Sequence, residues 1–355
     1  MTRHWPLAVP PLALAAWAAS ATLGMGTAMA LVAAAALFAV VLAAVHHAEV
    51  VAAAVGEPFG TLILALAVTV IEAALIVSVM LAGGDEAAAL PRDTIFAAVM
   101  IIVNGAVGLC LLVGGIEHHE QSFRLEGATS ALAALVALST LSLVLPSFTT
   151  SAPGQSYTAS QLAFAGVASL ALWLVFVFVQ TVRHRDYFLP APSSSAEEHA
   201  PPPSRREAWA SFGLLLVCLV AVVGLAKALS PLIERAVVAA GAPHAVIGVA
   251  IALLVLLPET WAAVRAARAD RLQTSLNLAL GSALATIGLT IPVVALASVW
   301  LGLPLALGLG AKELVLLVLS FGVATITLGI GRTNVLQGAV HLVIFAAFLF
   351  LALVP

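Results

Sequence analysis

Two glutamates stand where glutamates are costly. Glu72 follows the run Phe59-Gly-Thr-Leu-Ile-Leu-Ala-Leu-Ala-Val-Thr-Val-Ile71, and Glu259 follows Leu253-Leu-Val-Leu-Leu-Pro258. An acidic residue at the centre of a membrane helix costs about 2.5 to 3.5 kcal/mol on insertion scales, which makes it a functional candidate; a helix–helix hydrogen bond is the plainer alternative. Paired carboxylates offer the hard oxygen ligands that a divalent cation such as Ca²⁺ takes. Two desolvated carboxylates at close range cannot both stay ionised without a cation, so at least one should hold a proton near neutral pH. Competition between a cation and a proton is the chemistry these residues suit.

Further oxygens could complete a coordination shell. Thr69 lies one turn before Glu72, Asn104 sits within Ile101-Ile-Val-Asn104-Gly105, and Asn277 and Ser282 fall in the span after Glu259. For Asn104 and Ser282 a structural hydrogen bond between helices is the competing reading. Pro258 lacks a backbone donor, so it should kink its helix and free a carbonyl beside Glu259. Among the polar connections, Glu117-His118-His119-Glu120 could gather cations or sense pH. His119-Glu120 begins like a zinc-protease motif, but Phe123 stands where the second histidine belongs. His46, His47 and Glu49 at the end of one apolar run, and Glu57 at the start of the next, suit interfacial or capping roles.

The elements that must position these residues are membrane helices. The chain of 355 residues is 63% hydrophobic and 9% charged, with a mean hydropathy of +1.15, whereas soluble domains carry about 25% charged residues. Apolar runs of about 20 residues cross a bilayer as helices. Eleven such spans begin near residues 8, 27, 58, 93, 127, 160, 208, 243, 274, 306 and 333. Arg3 and the Ala-rich run behind it imitate a signal peptide, but the apolar sequence continues and reads as a retained first span. Residues 183–207 are rich in proline, serine and mixed charge, the composition of a flexible linker.

With that linker cytoplasmic, the inside carries Arg3, Arg124, Arg183, Arg185, Arg205, Arg206, Arg265, Arg268, Arg271 and Arg332; the outside keeps Arg92, Lys227, Arg235 and Lys312. This asymmetry follows the positive-inside rule and places the N-terminus in the cytoplasm and the C-terminus outside. The run Arg265 to Arg271 is a topology determinant on this reading. The expected organisation is an N-terminal helix in residues 1–26, a first five-helix repeat in 27–182, the linker 183–207, and a second repeat in 208–355. Five helices per repeat forces inversion of the second, which is a transporter architecture. The small net charge of −3 gives no sign of nucleic-acid binding, and Cys110 and Cys218 both lie inside apolar runs, suggesting no disulfide. An enzyme would want a nucleophile or a complete metal triad, and a channel a continuous polar lining; neither pattern is present.

Three stretches resemble the calcium/proton antiporters of the cation/Ca²⁺ exchanger superfamily, and most closely its bacterial ChaA-type branch. They are Gly56-Glu57-Pro58-Phe-Gly60 through Val70-Ile71-Glu72, Gly114-Gly115-Ile-Glu117-His-His-Glu120-Gln-Ser-Phe123, and Leu257-Pro258-Glu259 through Asn277-Leu-Ala-Leu-Gly281-Ser282. The resemblance covers nearly the whole chain. It implies an all-helical polytopic protein of the bacterial inner membrane, with no enzymatic activity and no cofactor, that exchanges Ca²⁺ for protons and exports the cation. The family's cation-binding glutamate of each Gly-Asn-x-x-Glu motif falls on Glu72 and Glu259, its Gly-Ser pair on Gly281 and Ser282, and its fourth-span asparagine on Asn104. The Gly-Asn itself is replaced by Val68-Thr69 and Val255-Leu256. The linker also lacks the acidic helix of fungal and plant relatives. Exchange of Na⁺ or K⁺ for protons, or of Na⁺ for Ca²⁺, are the alternatives within the superfamily, and the oligomeric state is left open.

Overall fold

The computed structural model describes residues 5–56, 59–83, 87–189, 203–239, 241 and 243–354. Arg3, Glu57, Pro58, Pro355 and most of the linker lie outside the described residues. Eleven helices dominate: α1 Trp5–Leu23, α2 Thr27–Val55, α3 Phe59–Gly83, α4 Leu90–His118, α5 Leu125–Ser147, α6 Ala159–Arg183, α7 Arg205–Ala239, α8 Ala245–Arg268, α9 Leu272–Leu301, α10 Ala311–Leu328 and α11 Val335–Leu353. Among the described residues ten of these are long and apolar enough to cross a membrane, and α3 contributes the shorter apolar stretch Leu66–Leu81.

Local chemistry sets the ends. Thr158 opens α6 and Asn334 opens α11 with capping boxes completed by Gln161 and Gln337. Gly302 closes α9 in the left-handed conformation, at φ 66°. α10 begins at 311 rather than near 306 because residues 303–310 form no helix. Their amides bond outward instead of to a helical turn, Ala306 to the Ala88 carbonyl, Gly308 to Gln155 and Leu309 to Leu143. α8 runs through Pro258 as one helix. The irregular turns lie elsewhere: π-helical stretches occupy Ile101–Ala106 in α4 and Thr140–Val144 in α5, and such turns recur at functional sites.

The connections gather at two ends of the bundle. At the linker end, strands β1 (Gln121–Ser122) and β2 (Arg332–Thr333) pair antiparallel and join the α4–α5 and α10–α11 connections. Gln121 donates there to the Ala267 carbonyl and to Asp270, and Arg124 N donates to Gln273. His47, near the end of α2, contacts the Pro6 carbonyl at 2.9 Å, which puts the start of α1 on this face. The opposite end holds the contacts of Gly308 and Ala306 with the α5–α6 and α3–α4 connections. The group α2–α6 therefore enters from the far face and the group α7–α11 from the linker face, the inverted arrangement of two groups of five.

Two large apolar cores and two small clusters form among the described residues. One large core joins α1, α2, α3, α7 and, through Val255, α8 around Val40, Val41, Ile71, Cys218 and Leu225; the other joins α4, α5, α6, α8, α9, α10 and α11 around Met100, Leu111, Leu135, Leu284 and Ile287. In lipid, helices associate through close packing of small residues, and the α4–α11 crossing shows it. A Cβ on Gly338 would stand 2.4 Å from the Leu112 amide nitrogen, and one on Gly108 would stand 2.8 Å from the His341 Cβ. Backbone cannot yield there, so Gly338→Val should lower stability by about 1–3 kcal/mol or more. A thermal midpoint in detergent equal to that of the wild type would refute the close crossing.

Candidate ion-binding site

Three helices build the site. α3 brings Glu72, α8 brings Glu259, and α9 packs against both. Glu72 is 1% exposed and Glu259 is 8% exposed. Thr286 on α9 donates to Glu72 Oε2 at 2.8 Å. Ser282, one turn earlier on the same helix, donates to Glu259 Oε2. Residues four apart share a helix face, so one stripe of α9 holds both carboxylates.

Glu72 keeps bonding capacity in reserve. Glu72 Oε1 is buried and has no hydrogen-bond partner, and a buried acceptor left this way costs about 1–3 kcal/mol. A proton on that oxygen or a cation beside it would relieve the cost. The hydroxyls of Thr286 and Ser282 add neutral oxygens of the kind that hard cations take with carboxylates. Thr69 is buried on α3 one turn before Glu72. One turn beyond Thr286, Thr290 Oγ1 is also buried without a partner.

Other candidates lie apart from the glutamates. Asn104 donates through Nδ2 to Ser320 Oγ on α10 at 2.8 Å, while its Oδ1 faces His341 Nδ1 on α11 at 3.2 Å; no described hydrogen bond joins it to either acid. Asn277 donates to the Phe188 carbonyl and accepts from Gln273, which ties the linker end of α9. In the connecting cluster, Glu117 pairs with Arg268 at 2.9 Å and Glu120 with Arg332 at 3.3 Å. His118 contacts the Arg268 carbonyl, and His119 ends α4 at φ 66°. Among the described residues no group of three or more His, Cys, Asp or Glu is placed to hold a metal ion. His47 is buried between the Pro6 carbonyl and Ser211, a tie among α1, α2 and α7.

Sequence reasoning missed Thr286. A threonine inside an apolar helix can bond its own preceding turn, so its type alone carries little signal, but its position four residues after Ser282 does.

Relatives extend the picture. The chain is 54% identical to the y4hA protein of Sinorhizobium fredii over 89% of this chain and 86% of that one. It is 36% identical to the sodium-potassium/proton antiporter ChaA of Escherichia coli over 98% of this chain and 96% of that one. The solved structure of the Ca²⁺/H⁺ antiporter protein YfkE has the same fold, with a TM-score of 0.71 at 15% identity, covering 99% of this chain and 98% of that one. The sodium/calcium exchanger protein family matches residues 21–182 and 210–354, both groups of five helices. With eleven helices in that fold and a match over most of its length, the chain belongs to the sodium/calcium exchanger protein family.

Proposed function

We propose that this transporter exchanges Ca²⁺ for protons across the bacterial inner membrane, exporting the cation, with Glu72 and Glu259 binding cation and proton in turn. The observation that carries the reading is the pair of buried carboxylates held by Ser282 and Thr286 on one face of α9. Two negative charges and two hydroxyls favour a divalent over a monovalent ion. The linker face is cytoplasmic on this reading, since it gathers most of the arginines.

Exchange of Na⁺ or K⁺ for protons through the same residues is the second reading, favoured by the 36% identity to an antiporter named for those ions. Everted vesicles with an acid interior separate the two. Ca²⁺ added outside should discharge the gradient more strongly than Na⁺, K⁺ or Mg²⁺ at equal concentration. Discharge by Na⁺ or K⁺ with none by Ca²⁺ would replace the first reading with the second.

A further inference from the structure

Thr290 is fully buried on α9, and its hydroxyl finds no hydrogen-bond partner among the described residues. Other threonines in these helices return the hydroxyl to the carbonyl four residues before, as Thr94, Thr129, Thr181 and Thr325 do. Thr290 does not. A hydroxyl buried away from water in this way calls for a partner of another kind.

The turn of α9 fixes which way Thr290 faces. A Cβ on Gly288 would stand 2.5 Å from the Trp173 Cβ, and Pro292 lies against Gly166, so this side of α9 is turned to α6. Thr290 is two residues from each of them, hence about 200° round the helix and on the opposite side. There Thr286, one turn before, donates to Glu72 of α3, and Val294, one turn after, packs with Ile76 and Met80 of α3. Thr290 lies between Thr286 and Val294 in height and in angle, so it faces α3 just beyond Glu72.

Glu72 Oε1 is the other buried oxygen of this region without a partner. Side chains one turn apart, as on Thr286 and Thr290, stand about 5–6 Å from each other, longer than a hydrogen bond. Calcium takes its oxygens at about 2.3–2.6 Å, so two oxygens on opposite sides of one ion stand about 5 Å apart. That spacing suits one cation shared by Glu72 Oε1 and the Thr290 hydroxyl. Farther toward the far face the surroundings turn apolar: Ile76, Met80 and Val294 are buried together, with Leu303 and Leu305 packed against them. Thr290 is therefore the last hydroxyl of the stripe Ser282, Thr286, Thr290 before an apolar layer.

We propose that the Thr290 hydroxyl is a further ligand of the transported cation, shared with Glu72 Oε1 on the far side of the Thr286 contact. The inference rests on the reading of Glu72 as a cation ligand. Everted vesicles test it through the apparent KM and the maximal rate of exchange per amount of protein, measured with Ca²⁺, Na⁺ and K⁺ in parallel. Thr290→Val keeps the shape and removes the oxygen, and it should raise the KM of the transported ion roughly fivefold, the worth of one neutral ligand. Thr290→Ser keeps the oxygen and should retain the wild-type KM; Thr290→Ala replaces the valine variant if that one does not fold. An unchanged KM in the folded valine or alanine variant, or a serine variant as impaired as the valine one, leaves Thr290 a packing group and overturns the proposal. Glu72→Gln in the same assay separates this inference from the reading beneath it. Wild-type exchange in that variant overturns both, whereas its loss beside an unchanged KM in Thr290→Val overturns the role of Thr290 alone.

Discussion

Glu72→Gln and Glu259→Gln each abolish exchange while leaving the protein folded in the membrane. The amide is nearly isosteric with the acid, and its oxygen still accepts from Thr286 in one case and Ser282 in the other. What goes is the charge. Removing one partner from a buried charge interaction costs about 2–5 kcal/mol, which corresponds to roughly 30-fold to more than 1,000-fold in cation affinity. The variant site also loses a group that can return a proton, so the exchange cycle stops even at saturating cation. Equal amounts of protein in the membrane by immunoblot, with vesicle exchange at background, is the expected pair of results. Wild-type rates in either variant would sink the two-glutamate mechanism and leave Glu72 and Glu259 as helix-packing groups.

The spans were legible because each must supply a long apolar stretch, and the glutamates because they interrupt such stretches. Hydropathy could not place the start of α10, since residues 303–310 are as apolar as a helix yet spend their amides on neighbouring connections. Pro258 removes one backbone donor, and α8 runs through it as one helix. Asn104 was legible as a polar group in the wrong solvent, whereas its partners were not: Ser320 and His341 lie 216 and 237 residues away in sequence. The acidic connection between α4 and α5 looked like a collector of cations, and the arginines that pair with Glu117 and Glu120 arrive from the other half of the chain.

Apparent Ca²⁺ affinity should weaken as pH falls from about 8 to about 6, because protons and the cation compete for the same desolvated carboxylates. The sign follows from occupancy. Ca²⁺ binds the form of the site with both acids ionised, acid solution depletes that form, and more cation is then needed for half-saturation. If one proton is displaced per cation in this range, each pH unit costs about tenfold in affinity, or about 1.4 kcal/mol; two protons double that cost. The converse also holds: Ca²⁺ binding to purified protein in weak buffer should release protons, which a passive pore has no reason to do. Imidazoles elsewhere in the chain must be separated from the carboxylates in such a profile. His118 and His119 stand at the linker face, and His341 lies in the core. The measurement therefore compares wild type with His118→Ala/His119→Ala and with His341→Gln. A slope that persists in both assigns the competition to Glu72 and Glu259. A slope erased by removing the two surface histidines, with both glutamates intact, would show that proton competition at the carboxylates is the wrong mechanism.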